Sequence, residues 1–203
     1  MKRWDSSIGG TRLGSERGAQ LVEFAVALPL LVVFVVGIFD FSNALTLKQR
    51  LTNMARDAAR AAAADPSNDV QRSATNTPVS VLDVYYIVDD YLVANNLNDC
   101  GLTPTASPPS NLTWAFSANA NGCPAPGIKI TVNRGYYYPD LGGGAPDVNC
   151  TPQNPGAQMA VVSTCVSIRY AYPWRFGRAA SLLGFSTVLP QQISAVGVAA
   201  NEN

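Results

Sequence analysis

Two carboxylates border the most apolar stretch of this chain, at positions where a charge is costly. Residues 24–39 carry no charged side chain, Glu23 directly precedes them and Asp40 directly follows them. A charge at the centre of a membrane helix costs about 3 kcal/mol on insertion scales. That cost falls if a cation pairs with the carboxylate. Glu23 is therefore predicted either to meet a cation or to stay among lipid headgroups, and Asp40 to lie at an interface.

The composition gives little support to other chemistry. The 203 residues contain no histidine, which removes a Ser-His-Asp triad, a Cys-His pair and a histidine-ligated zinc site. Asp89 and Asp90 are interpreted as a solvated helix face rather than a calcium site. The chain has 14 basic and 14 acidic residues, a balance that does not favour nucleic-acid binding. We expect no enzyme, no catalytic residue, no metal, no cofactor and no small-molecule substrate.

The four cysteines predict disulfides. Cys100, Cys123, Cys150 and Cys165 all follow the apolar stretch, and none forms a C-x-x-C pair. In a region rich in Pro, Gly and Asn, this pattern favours two disulfides in an oxidising compartment over four free buried thiols. Three connectivities are possible. The simplest closes neighbours in the sequence, Cys100 with Cys123 and Cys150 with Cys165.

The apolar stretch predicts one membrane-spanning helix. The uncharged run from Phe24 to Phe39 is longer than an ordinary secretory-signal core, and no A-x-A cleavage site follows it. Basic residues flank the run on both sides, so the cysteines indicate the orientation better than the charges do. They place the N-terminus in the cytoplasm and the C-terminal part outside. Pro29 is expected to kink or loosen the helix locally.

The helix is predicted to continue beyond the membrane, over about residues 20–64. Residues 43–64 contain no Gly or Pro and are rich in alanine, the best helix former. Asp65-Pro66 is a plausible stop. One face is apolar, and the other half of the surface carries the charges. The apolar face comprises Leu47, Leu51, Met54, Ala58, Ala61 and Ala62, and the charged half Lys48, Arg50, Arg56, Asp57 and Arg60. This amphipathic half is expected to pack on a soluble domain.

That domain is predicted to be α+β. After a polar linker at residues 66–79, residues 80–97 predict a second helix, capped by Ser80. Its apolar face is expected to contain Val81, Val84, Tyr85, Val88 and Leu92. Four strands are predicted at about residues 113–118, 128–138, 159–172 and 192–199. The predicted fold is a long N-terminal transmembrane helix extending into an extracytoplasmic domain with an antiparallel sheet.

Two further segments of the domain are ambiguous. The aromatic residues 136–138 and 170–176 are interpreted as ordinary packing on strand faces, with a binding surface as the alternative. Residues 177–190 predict an apolar crossover or a short helix.

The stretch GAQLVEFAVALPLLVVFVVGIFDF, followed by LTNMARDAARAAA, resembles the N-terminal region of TadE-like proteins. These are pilin-like components of the tight-adherence (Tad, or Flp) pilus system, related to type IV pilins. The resemblance rests on Gly18, a glutamate five residues on, a proline inside the apolar run and a terminal Asp-Phe. It covers about residues 18–64 and extends to the rest only as a helix followed by strands, a pilin-like outline.

The resemblance implies processing by a prepilin peptidase between Gly18 and Ala19. It divides the chain into a cytoplasmic leader (1–18), a transmembrane and stem helix (19–64) and an extracytoplasmic domain (65–203). Glu23 becomes the fifth mature residue, and the resemblance implies that it meets the amine of a neighbouring subunit and sets the register of the helices, or that it supports processing. Cleavage creates that amine, which supplies the cation that a buried carboxylate needs.

The functional expectation is a single-pass pseudopilin or minor pilin of the bacterial inner membrane, acting in assembly or initiation of a Flp pilus. The implied partners are the prepilin peptidase, other pilins, the Tad assembly machinery and membrane lipid. The alternative is a signal-anchored receptor or adhesin that keeps its leader. An unprocessed N-terminus would favour that alternative.

Overall fold

The computed structural model describes residues 15–66, 68, 77–107, 110–139, 146–151, 160–181 and 189–202. The elements within them are α1 (Ser15–Ala64), α2 (Val79–Ala94), β1 (Thr113–Ala118), β2 (Ile128–Pro139), β3 (Ala160–Ala171), α3 (Phe176–Ser181) and β4 (Gln192–Ala200). The predicted α+β fold is confirmed: a long apolar helix precedes an antiparallel sheet. The predicted leader lies outside the described residues except for residues 15–18, as does most of the linker at 66–79.

The chain divides into two compact units. The first contains Met1–Asp40 and Arg175–Val188, and the second contains Phe41–Trp174 and Leu189–Asn203. Helix α1 contributes residues to both, and it continues across Pro29.

The sheet belongs to the second unit and follows chain order, β1-β2-β3-β4, with every neighbouring pair antiparallel. The four strands begin and end within a residue or so of their predicted limits. The register places Ile130 beside Ile168, and Ile168 beside Ala195. Ile130, Ile168 and Ala195 are all buried, so this face of the sheet is apolar.

Helix residues cover that apolar face. Leu51 and Met54 of α1 are fully buried, and the predicted apolar face is buried except at Ala61, which is partly exposed. The predicted face of α2 is buried at all five positions: Val81, Val84, Tyr85, Val88 and Leu92. All of these except Ala61 join Trp114, Phe116, Ile130 and Ile168 in one hydrophobic core.

Alanine and glycine let α1 lie close to β4. A Cβ added at Gly197 would stand 2.3 Å from the carbonyl oxygen of Ala55, a distance that real Cβ atoms do not reach. The contact is backbone against backbone, so no rotamer change would relieve it. The alanine-rich sequence of α1 therefore favours the helix locally and also permits this approach.

The predicted cap of α2 is wrong. The helix begins at Val79, and Pro78 occupies the N-cap position, where it makes no side-chain cap hydrogen bond. Ser80 lies inside the helix and is buried. The carbonyl oxygen of Pro78 accepts the N–H groups of Val81 and Leu82, at 3.1 and 3.0 Å. Proline fits the start of a helix because it has no N–H of its own to satisfy.

The cysteines pair as neighbours in the sequence. The Cα atoms of Cys100 and Cys123 are 5.3 Å apart, and those of Cys150 and Cys165 are 5.6 Å apart. A β-bulge follows Asn133 in β2 and shifts the alternation of its side chains. As a result Tyr136 turns away from the main core and packs, 1% exposed, with the second disulfide. This part of the aromatic run is strand-face packing.

Candidate functional site

The first unit exposes an unusually apolar helix surface. The most apolar window of α1 has a mean hydropathy of 2.7, and only 6% of it is buried. Exposed apolar side chains line this part of the helix: Leu21, Val22, Phe24, Val26, Leu28, Leu30, Leu31, Val32, Phe34, Val35, Ile38 and Phe39. A contiguous apolar surface of this kind marks contact with lipid or with another protein. The helix is long and apolar enough to cross a membrane.

The three residues of the predicted processing region lie on this helix. Gly18, Ala19 and Glu23 are exposed. A Cβ added at Gly18 would meet nothing within 4 Å, so neighbouring atoms do not exclude a side chain there. Glu23 lies one helical turn after Ala19, which places both on one side of the helix. Within the described residues, Glu23 makes no hydrogen bond or ion pair.

Asp40 has a definite structural role that the sequence did not indicate. Its carboxylate is 4% exposed, and Oδ2 accepts the backbone N–H groups of Arg175 and Phe176, each at 2.8 Å. These N–H groups stand at the start of α3, where a helix leaves its donors unsatisfied. A carboxylate is the favoured acceptor there because it also meets the positive end of the helix dipole. The two partners are 135 and 136 residues from Asp40 in the sequence, so local pattern does not reveal the contact.

Gly37 makes room for the same helix. A Cβ at Gly37 would stand 2.8 Å from Cδ2 of Phe176. Gly37 and Asp40 are three residues apart and share one face of α1. Together they form the place where α3 attaches within the first unit. Helix α3 accounts for the start of the segment at 177–190, and residues 182–188 lie outside the described residues.

The C-terminus of α1, in the second unit, is held by an arginine from the sheet. The Arg134 guanidinium donates to the carbonyl oxygens of Ala62 and Asp65, the latter at 3.0 Å, and to Oγ1 of Thr164 at 3.0 Å. The side chain is 3% exposed. The last turn of α1 contains no basic residue, so Arg134 supplies the positive charge that the helix end favours. Sequence reasoning missed this role because Arg134 belongs to another element.

An acidic turn precedes the second disulfide. The Asp147 carboxylate accepts the N–H groups of Asn149 and Thr151, at 3.1 and 3.0 Å. A side-chain hydrogen bond with Thr151 is the main reason that the pKa of Asp147 is lowered from its ordinary value, and these backbone bonds add to it. The turn positions Cys150 for its bond to Cys165.

The comparison with protein families gives one match. Residues 18–60 match the model of the TadE-like protein family. The resemblance predicted from the sequence is confirmed over these residues. The match begins at Gly18 and lies entirely within α1. Comparisons with curated proteins and with solved structures found no match.

Proposed function

We propose that this chain, whose residues 18–60 match the TadE-like family, is a pseudopilin or minor pilin that acts in assembling a Tad pilus. The observation that carries the proposal is the exposed apolar surface of α1 inside the matched region. Large apolar side chains in water are unfavourable by about 25 cal/mol per Å². Lipid covers this apolar surface while the protein is in the membrane, and neighbouring pilin helices cover it in the assembly.

Gly18 fits recognition by a peptidase. Neither its backbone angles nor its neighbours require glycine within the described structure. An exposed glycine next to an exposed alanine gives an enzyme close access to the peptide bond between them. We therefore propose cleavage by a prepilin peptidase between Gly18 and Ala19.

Glu23 is proposed to set the register between subunits. Cleavage leaves a positive amine at Ala19, and Glu23 is the nearest carboxylate along the helix. In the low dielectric of a membrane or of a helix bundle, an amine and a carboxylate attract each other much more strongly than in water. Pairing between the amine of one subunit and Glu23 of the next fixes the axial offset between the two helices.

The two cysteine pairs support an extracytoplasmic position for the second unit, because disulfides persist in oxidising compartments. The leader then lies in the cytoplasm and α1 crosses the inner membrane once. The proposed partners are the prepilin peptidase, other pilins, the Tad inner-membrane machinery and lipid.

The processing step is tested by reading the N-terminus. The full chain is produced with and without its cognate prepilin peptidase, and its mass is measured by mass spectrometry. We expect a mature chain that starts at Ala19 only when the peptidase is present. Gly18→Leu should abolish cleavage, whereas Gly14→Leu, a glycine elsewhere in the leader, should be cleaved. An intact leader in the presence of active peptidase would overturn the processing claim and favour an anchored receptor or adhesin.

The register role has its own test. Glu23→Ala should insert into the membrane normally but reduce piliation at least about tenfold, which corresponds to the loss of about 1.4 kcal/mol per contact. Glu23→Gln should behave similarly because it keeps the shape and loses the charge. Glu202→Ala removes an exposed carboxylate outside the matched region and serves as the control. Normal piliation by both Glu23 variants would refute the role.

A further inference from the structure

We propose that the second unit binds a second copy of this chain, with the outer face of α2 from one copy seated in a basic groove beside α1 of the next. This contact does not depend on cleavage or on Glu23, so it stands apart from the function proposed above. It uses surfaces that lie entirely in the second unit.

The groove runs between α1 and the β3–β4 side of the sheet, and its volume is about 650 Å³. Three cations line it from the helix side: Lys48, Arg56 and Arg60. Apolar groups from the sheet line the other side, including Tyr138, Val161 and Val196. The groove therefore combines positive charge with an apolar floor, which suits an amphipathic acidic segment.

The cations keep most of their binding capacity. Arg56 makes no hydrogen bond or ion pair within the described residues. Arg60 stands 4.0 Å from Asp57, with 76% of its side chain exposed, a pair that contributes little. Lys48 donates to the carbonyl oxygen of Ser194, and an ammonium group has two further protons to donate.

The outer face of α2 has the matching pattern. Val79, Tyr86 and Val93 follow one another at intervals of seven residues and are 66%, 52% and 67% exposed. Asp83 and Asp90 stand between them on the same side of the helix. The buried face of α2 lies on the opposite side, so this outer stripe stays exposed, although the Tyr86 ring meets the adjacent Tyr85 ring at 5.2 Å. Apolar positions at this spacing, interrupted by acids, form a docking stripe.

The length of the basic row on α1 accommodates the spacing of the two acids on α2. The three cations of α1 extend over twelve residues, or roughly 18 Å at 1.5 Å per residue, and the two acids of α2 are about 10.5 Å apart. The acids therefore fit within the length of the basic row.

The stripe faces away from the rest of its own second unit, because the opposite side of α2 packs on β1 and donates the Tyr91 hydroxyl to Asp57 of α1. The contact is therefore intermolecular. Helix α2 packs on β1, where the rings of Tyr85 and Phe116 are 5.5 Å apart. Helix α1 packs on β4 at Gly197. Strands β1 and β4 are the two ends of the sheet. A contact between unlike surfaces leaves a free stripe on one copy and a free groove on the other, so it repeats into an open row of copies.

Photocrosslinking of the purified full chain in phosphatidylcholine vesicles tests the contact. Tyr86 is replaced by a benzophenone amino acid, and the crosslinked dimer is mapped by mass spectrometry. We expect crosslinks to peptides that contain Val161 or Val196. No crosslinked dimer, or crosslinks only to other segments, would overturn the proposal.

Charge reversal separates this contact from association through the membrane helix. The stripe variant Asp83→Lys/Asp90→Lys and the groove variant Arg56→Glu/Arg60→Glu should each lower the dimer yield at least about tenfold, because like charges then face each other. Lys129→Glu reverses an exposed cation between two buried residues of β2, away from the groove, and should leave the yield unchanged.

A mixture of the two variants provides the decisive measurement. With the crosslinker on the groove variant, its native stripe faces the native groove of the stripe variant, so the yield should return to the wild-type level. Two misfolded variants would not rescue each other. Wild-type yield from either variant alone, or failure of the mixture to recover, would refute the contact.

Discussion

The two parts of α1 are both apolar, but the first part exposes most of its apolar side chains and the second part buries a full face of them. In residues 18–40 most of the large side chains are exposed, as with Leu31 at 61%, whereas in residues 41–64 Leu51 is fully buried. The first part is rich in Leu, Val and Phe, and the second in Ala. Large residues offer area to lipid or to other helices, whereas small ones let a helix lie close to a sheet. Helix α1 therefore presents an exposed apolar surface in its first part and a buried core face in its second.

Each part also meets a different electrostatic partner. In the first unit the carboxylate of Asp40 accepts the N–H groups at the start of α3. In the second unit the guanidinium of Arg134 donates to the carbonyls at the end of α1. Both contacts use a full charge to satisfy the backbone at a helix terminus. Neither charge comes from the helix that it caps.

The largest difference between the two parts is expected from matched leucine substitutions. Leu51→Ala should lower the free energy of unfolding of the second unit by about 3 kcal/mol, because it leaves a cavity in a fully packed core. Leu31→Ala should leave that free energy unchanged within about 0.5 kcal/mol, because it removes only exposed surface. Urea unfolding of the full chain in detergent micelles, followed by the fluorescence of buried Trp114, measures both. Equal losses in the free energy of unfolding for the two variants would refute the expected difference between the two parts of α1.

A smaller difference is expected from two glycines. Gly197→Ala should cost about 2 kcal/mol, because the new methyl group meets the backbone of Ala55. Gly37→Ala should cost under about 1 kcal/mol, because the new methyl group meets the side chain of Phe176, and a side chain yields more readily than backbone. The same unfolding assay measures the first, and hydrogen exchange of the Phe176 amide reports the second. A larger loss of stability in Gly37→Ala than in Gly197→Ala would contradict the expectation that a clash with backbone costs more than a clash with a side chain.

A smaller effect than those at Leu51 and Gly197 is expected at Asp40. Asp40→Ala should destabilise the attachment of α3 by about 1 kcal/mol, the usual value of a helix cap. Hydrogen exchange at the amides of Arg175 and Phe176 should then be about fivefold faster, and Asp40→Asn, which keeps one oxygen acceptor, should fall between. Leu51→Ala provides the control, since it should not alter exchange at these two amides. Unchanged exchange in Asp40→Ala would refute the capping role.

Local pattern was sufficient for most of the fold. The alternation of β-rich residues predicted all four strands, and helical spacing predicted the buried face of α2 residue by residue. These features follow from nearest neighbours along the chain, which is why periodicity reveals them. Pattern failed at the start of α2, where Ser80 matched a cap by type but Pro78 precedes the helix.

The sequence by itself determined the apolar helix, the amphipathic stem, the four strands and the match at residues 18–60. Only the tertiary structure decided what Asp40 and Arg134 do, because each satisfies a helix end that belongs to a distant part of the chain. It also decided that α1 and the β3–β4 side of the sheet together form the basic groove. Contacts of this kind depend on where the sheet brings distant segments together, and no period along one element records that position.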